Sequence, residues 1–142
     1  DLKWAFPPGD YWDNYEIGAP TKLVAHNQVT PMVGGGALRE VYEQNDGLVG
    51  ESFCVYDAGR GLWHQSWVTN HGTLLQLDGR REATRMVLTG SDNSEKGKQA
   101  LIRGIWYREG KGVRETAVRS VDAGKSWLPV FDILFLPKGS TP

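Results

Sequence analysis

The sequence predicts an all-β chain closed into one antiparallel up-and-down barrel of about ten strands, with little helix. Three observations carry this reading. Gly and Pro punctuate the chain so densely that the longest stretch free of both is Val113–Ala123, which leaves no room for long helices. Short segments rich in β-branched and aromatic residues alternate with period two between turn-forming clusters, the pattern of half-buried strands. Eighteen Gly and six Trp among 142 residues fit tight turns around an aromatic interior.

Taken in order, Trp4-Ala5-Phe6-Pro7-Pro8-Gly9 reads as an irregular arm over residues 1–10, because its prolines suit neither helix nor ladder. Tyr11–Ile17 and Lys22–Thr30 follow as strands, and Gly34-Gly35-Gly36 marks a bend or bulge. Ala37–Gln44 and Val49–Tyr56 flank Asn45-Asp46-Gly47, whose Asp-Gly step is a strong hairpin signal. Leu62–Thr69, Thr73–Asp78 and Thr84–Thr89 come next, joined through Asn70-His71-Gly72 and through Gly79–Ala83. Ser91–Lys98 is polar and reads as a loop, Gln99–Tyr107 as a strand, and Val113–Ala123 as another. The last strand lies around Trp127–Leu136, and residues 137–142 read as a frayed tail. Successive short turns make sequence neighbours spatial neighbours, and ring closure removes the exposed edges such a meander would otherwise carry.

Composition narrows the function. At 142 residues the chain is one domain's worth, long enough for a sizeable core without disulfides or metals. No apolar run approaches the roughly 18 residues of a membrane-spanning helix. Sixteen Lys and Arg against seventeen Asp and Glu give a net charge of −1, so no global basic field holds a phosphate backbone and nucleic acid is not an expected partner. The single cysteine, Cys54, allows neither an intramolecular disulfide nor a thiolate metal cluster. The cellular compartment stays open.

From Thr30 onward the chain resembles a bacterial family of lipocalin-like, calycin-fold proteins of unknown function. The resemblance rests on Thr30-Pro31 with Gly35-Gly36-Ala37-Leu38-Arg39-Glu40, Val55-Tyr56-Asp57 with Trp63-His64-Gln65-Ser66-Trp67-Val68, Arg85-Met86-Val87-Leu88-Thr89-Gly90, and Ser120-Val121-Asp122-Ala123-Gly124-Lys125-Ser126-Trp127. It implies a barrel related to lipocalins and fatty-acid-binding proteins, and it implies no reaction. Relative to that family the Pro7-Pro8-Gly9 arm replaces an opening helix, Ala117 stands at a usually aromatic position and Glu115 at a usual Gln. An inward Ala117 would leave space for a ligand with the Glu115 carboxylate beside it. Related haem-binding barrels use a histidine late in the chain, whereas here no histidine follows His71.

Candidate chemistry centres on the barrel interior. Trp63, Gln65 and Trp67 share one face of a strand, since side chains two apart point the same way. Two indoles with an amide between them suit a flat ligand; they serve equally as core filling. Glu40, Arg103 and Glu115 each sit in a strand pattern and, facing inward, would form a charged cluster. That cluster is either an internal ion-pair network or an acid–base site in which Arg103 steadies an anion. Trp127, from the Asp-x-Gly-Lys-Ser-Trp stretch, joins the candidate ligand contacts. His26, His64 and His71 show no metal-ligand spacing, His64 belongs to the face opposite Trp63 and Trp67, and neither metal nor cofactor is expected. Cys54 lies in a strand pattern and reads as a small core residue.

The expected function is therefore binding of a small hydrophobic or aromatic molecule inside the barrel. A cofactor-independent cyclase, isomerase or hydrolase using Glu40 or Glu115 is the alternative. A dimeric interaction module using the Trp4-Phe6-Pro7-Pro8 arm is the third reading.

Overall fold

A computed structural model describes residues 9–15, 22–93 and 96–140. Ten strands run in chain order: β1 (Gly9–Tyr15), β2 (Lys22–Met32), β3 (Ala37–Gln44), β4 (Val49–Asp57), β5 (Leu62–Thr69), β6 (Leu74–Glu82), β7 (Arg85–Asp92), β8 (Ala100–Glu109), β9 (Gly112–Ser120) and β10 (Leu128–Pro137). Each pairs antiparallel with its sequence neighbour, and β1 closes the ring on β10 through Tyr11–Pro137 to Tyr15–Ile133. The only described helix is the single 3₁₀ turn Val33–Gly35 between β2 and β3, at the expected glycine bend. The all-β up-and-down barrel expected from the sequence is the observed architecture.

Local chemistry explains the hairpins. Between β3 and β4, Gly47 takes φ +95°, the left-handed region that favours glycine, while the Asp46 carboxylate accepts from the Leu48 amide at 3.1 Å. The β9–β10 connection is held by Asp122, which accepts from the Ser126 hydroxyl and amide and from the Ser120 hydroxyl. Those donors hold its carboxyl down to about 2, the Ser126 hydroxyl contributing most.

Several boundaries differ from expectation. β6 runs on to Glu82, because Arg80, Arg81 and Glu82 complete a ladder with Val87, Met86 and Arg85, so the turn moves to Ala83, which adopts φ +53°. β7 extends through Asp92 into the segment expected as loop, where Asp92 meets the Arg119 guanidinium at 2.7 Å. Gly9, Asp10 and Pro137 belong to strands rather than to the expected arm and tail, paired through the β1–β2 and β1–β10 ladders. The remainder of the arm, residues 1–8, lies outside the described residues.

Register decides what faces inward. One lateral row of paired residues runs Val29, Glu40, Ser52, Trp67, Leu75, and the next runs Leu38, Cys54, Gln65, Leu77. Around the other side, Trp63, Gly79, Leu88, Gly104, Ala117 and Phe131 form a row, as do Met86, Trp106, Glu115 and Ile133. The interior is thus divided. On β7–β10 it is apolar apart from Glu115 and closely filled by Met86, Leu88, Ile102, Trp106, Val113, Ile133 and Phe135. On β2–β5 it carries Asn27, Glu40, Ser52, Cys54 and Gln65.

Candidate functional site: the polar half of the barrel interior

The polar half is built by strand alternation. Asn27 on β2, Glu40 on β3, Ser52 on β4 and Gln65 on β5 all occupy inward positions, and their side chains meet in one chain of hydrogen bonds. Gln65 Nε2 donates to Ser52 Oγ at 3.4 Å, Ser52 Oγ donates to Glu40 Oε1 at 3.3 Å, and Asn27 Nδ2 donates to Glu40 Oε2 at 3.2 Å. Ser52 and Asn27 converge on the Glu40 carboxylate, and Gln65 stands behind Ser52. Asn27 is fully buried, and its Oδ1 atom has no hydrogen-bond partner. A buried polar atom without a partner costs about 1–3 kcal/mol, so it marks an acceptor position held by the surrounding fold.

Two carboxylates lie on the inner face of these walls. Glu40 keeps part of its surface open although its register neighbours Val29 and Ser52 are 3% and 1% exposed. Glu115, half-buried in mid-β9, likewise sits between sealed residues, Val113 and Ala117. A side chain that retains surface between closed neighbours on an inward face opens onto the lumen rather than the bulk. Burial pushes the Glu40 carboxyl above its usual range, against the opposing hydrogen bonds from Asn27 and Ser52. Cys54 feels both carboxylates: burial first, then Glu40 and, more weakly, Glu115 push its thiol far up, so it is held as a neutral thiol. Register places both carboxylates on the inner face, Glu40 in the row of Ser52 and Trp67 and Glu115 in the row of Trp106 and Ile133.

Aromatic side chains shape the walls. Trp67 meets Tyr42 edge-on at 5.8 Å, and Trp63 meets Tyr56 edge-on at 5.5 Å, at opposite ends of β5. Trp67 lies against Gly50, where a Cβ would overlap its ring, and Trp106 lies against Gly104 in the same way. Trp63 and Trp67 are half-buried, whereas Trp106 is 3% exposed and part of the filled half.

Placement separates the sequence candidates. Glu40, Glu115, Trp63, Gln65 and Trp67 all occupy inward positions. Arg103 does not: register sets it opposite Thr89 and Val118 on the outer wall, where its Nε donates to Thr89 Oγ1 at 3.0 Å and its guanidinium lies 4.1 Å from the centre of the Trp127 ring. The expected Glu40–Arg103–Glu115 cluster therefore does not form, because Arg103 has the opposite strand parity from Gly104. Trp127 leaves the lumen with it, as the outer-wall partner of Arg103 just before β10. Ala117 faces inward but is 2% exposed, because the room an aromatic would need beside it is taken by the Trp106 indole packed over its register partner Gly104.

Asn27 and Ser52 were not among the sequence candidates. Their only signal was shared parity with Glu40, which becomes legible once the β2–β3–β4 register is known. Among the described residues, no three His, Cys, Asp or Glu side chains gather as a metal-binding group, and no helix is long and apolar enough to cross a membrane. No family model matches the chain, and no curated protein matches it.

Proposed function

We propose that this protein binds a small hydrophobic or aromatic molecule in the barrel lumen, with the Gln65–Ser52–Glu40–Asn27 chain as its polar anchor. The observation that carries the reading is the open surface of Glu40 and Glu115 between sealed neighbours, which gives a ligand polar atoms to meet inside an otherwise apolar enclosure. Small-molecule sites combine apolar and aromatic walls with a few placed polar groups. Trp63 and Trp67 supply the first, and the carboxylate chain supplies the second. The calycin-like resemblance of the sequence fits such a role by analogy of fold alone. With Arg103 on the outer wall, an acid–base reaction at Glu40 or Glu115 lacks its expected anion anchor, so binding is the reading preferred.

Titration with N-phenylnaphthylamine, a neutral aromatic amine that fluoresces in apolar sites, tests this. Saturable binding of one probe per chain is expected, weakened at least about tenfold, or about 1.4 kcal/mol, by Trp63→Ala or Trp67→Ala. A wild-type chain that leaves the probe dark, or variants that bind it undiminished, would refute lumen binding.

A further inference from the structure

The outer wall of β5 and β6 carries a second constellation that the lumen does not use. His64 and Ser66 alternate onto the outer face of β5, and Asp78 stands opposite His64 on β6. His64 Nδ1 lies 2.8 Å from Asp78 Oδ1, and His64 Nε2 lies 2.8 Å from Ser66 Oγ. With the carboxylate accepting from Nδ1–H, the Nε2 lone pair is left to accept the Ser66 hydroxyl proton, which fixes the tautomer a base requires. This is the connectivity of a serine nucleophile, a histidine base and an aspartate that orients it, recognised by geometry rather than by chain order.

The acid member is itself secured. Arg60 donates to both oxygens of Asp78, at 3.1 and 3.0 Å, and to Asp57 at 2.6 Å. That grip holds the Asp78 carboxyl below its usual range and therefore charged. The surroundings are equally specific. Phe53, directly opposite Ser66 on β4, is 47% exposed, and Val68 and Leu74, one step along the same face, are 46% and 60% exposed. A cluster of exposed apolar side chains around a hydroxyl is unusual on a barrel exterior and suits an acyl group. On the other side of Asp78 a groove of about 310 Å³ continues past Arg80, Val87, Thr89 and Arg103.

We propose that Ser66, His64 and Asp78 form a hydrolytic site on the outer wall, acting on esters with an apolar acyl group. Ser66 Oγ bonds to the ester carbonyl carbon as its proton passes to His64 Nε2. The bond to the alcohol oxygen then breaks, and that oxygen takes the proton from Nε2. Water next attacks the acyl carbon, giving a proton to Nε2; the Ser66 Oγ–acyl bond breaks and the proton returns to Oγ. The balance is ester plus water to acid plus alcohol. Gln76, opposite Ser66 in the β5–β6 register, brings a side-chain amide to the same face as a donor for the developing oxyanion.

A fluorophosphonate probe, which bonds only to an activated hydroxyl, tests this on the unaltered chain. The expected result is a single adduct located on Ser66 by peptide mass spectrometry. Hydrolysis of p-nitrophenyl butyrate is expected too, falling to background in Ser66→Ala and at least about a hundredfold in His64→Asn. No adduct, an adduct elsewhere, or hydrolysis that survives Ser66→Ala overturns the proposal. Circular dichroism of the variants separates a lost nucleophile from a lost fold, and the labelling result needs no variant at all.

Discussion

Replacing Glu40 by Gln isolates the electrostatics of the lumen. The carboxylate receives two hydrogen bonds, from Asn27 at 3.2 Å and Ser52 at 3.3 Å. Bonds to a charged group contribute about 1.5–3 kcal/mol each at good geometry, and both of these are long. Taking a carboxylate out of water costs several kcal/mol even after relaxation. Burial outweighs the bonds, which is why the native pKa stands above the ordinary 4.5. The sign of the linkage follows. The folded chain holds this proton more tightly than the unfolded chain, so the group's stabilising contribution is complete below pH 4.5 and is lost as pH rises through the raised native value. In that window stability falls by up to about 1.4 kcal/mol per pH unit. Gln carries no charge at any pH. After rotation of the Asn27 amide, its Nε2 donates to the Asn27 oxygen in place of the bond that Asn27 Nδ2 gives the wild-type carboxylate, so the number of hydrogen bonds is kept and the charge alone is removed. Urea unfolding of both chains between pH 4 and 8, followed by circular dichroism, measures the difference. Glu40→Gln is expected to be at least as stable at pH 4 and to lead by a margin that widens with pH and then levels off. The carboxylates of Asp57 and Asp78, held low by Arg60, destabilise on protonation below their ordinary 3.8; common to both chains, that effect cancels in the difference. A difference that does not change with pH, or a Gln variant less stable at pH 8, would refute the reasoning.

Two further outcomes follow from packing and from the turn. Gly104→Ala sets a methyl into the Trp106 ring and should cost about 1–3 kcal/mol in urea unfolding, whereas Gly34→Ala, with open space around it, should show only the smaller penalty of its φ of +60°. Ser126→Ala removes the largest of the donors on Asp122, so the Asp122 carboxyl should rise from about 2 towards its ordinary 3.8 in a carbon-detected NMR titration, while an unchanged value would mean that Ser120 and the turn amides suffice.

Much of the barrel was legible in the residues, because strand formation here rests on local chemistry. Gly and Pro spacing forbade helices, Asp46-Gly47 specified its hairpin, and alternation marked nearly every strand. The errors lie where ladder pairing overrides local appearance: Arg80, Arg81 and Glu82 look like a charged loop but are strand because β7 supplies their partners. The candidate site was legible only in part. Trp63, Gln65 and Trp67 share a face by arithmetic within a single strand. Arg103 lies on the outer wall because parity on β8 is set relative to β7 and β9, not by its own sequence.

Sequence alone therefore determined the fold class, the approximate strands and the face shared by Trp63, Gln65 and Trp67. Tertiary structure decided which residues from different strands meet: Asn27, Glu40, Ser52 and Gln65 inside, and His64, Ser66 and Asp78 outside. The physical reason is the period of two. A side chain's neighbour within its own strand is fixed by counting, but its neighbour across the ladder depends on register, and a shift of one residue exchanges the two faces of the wall.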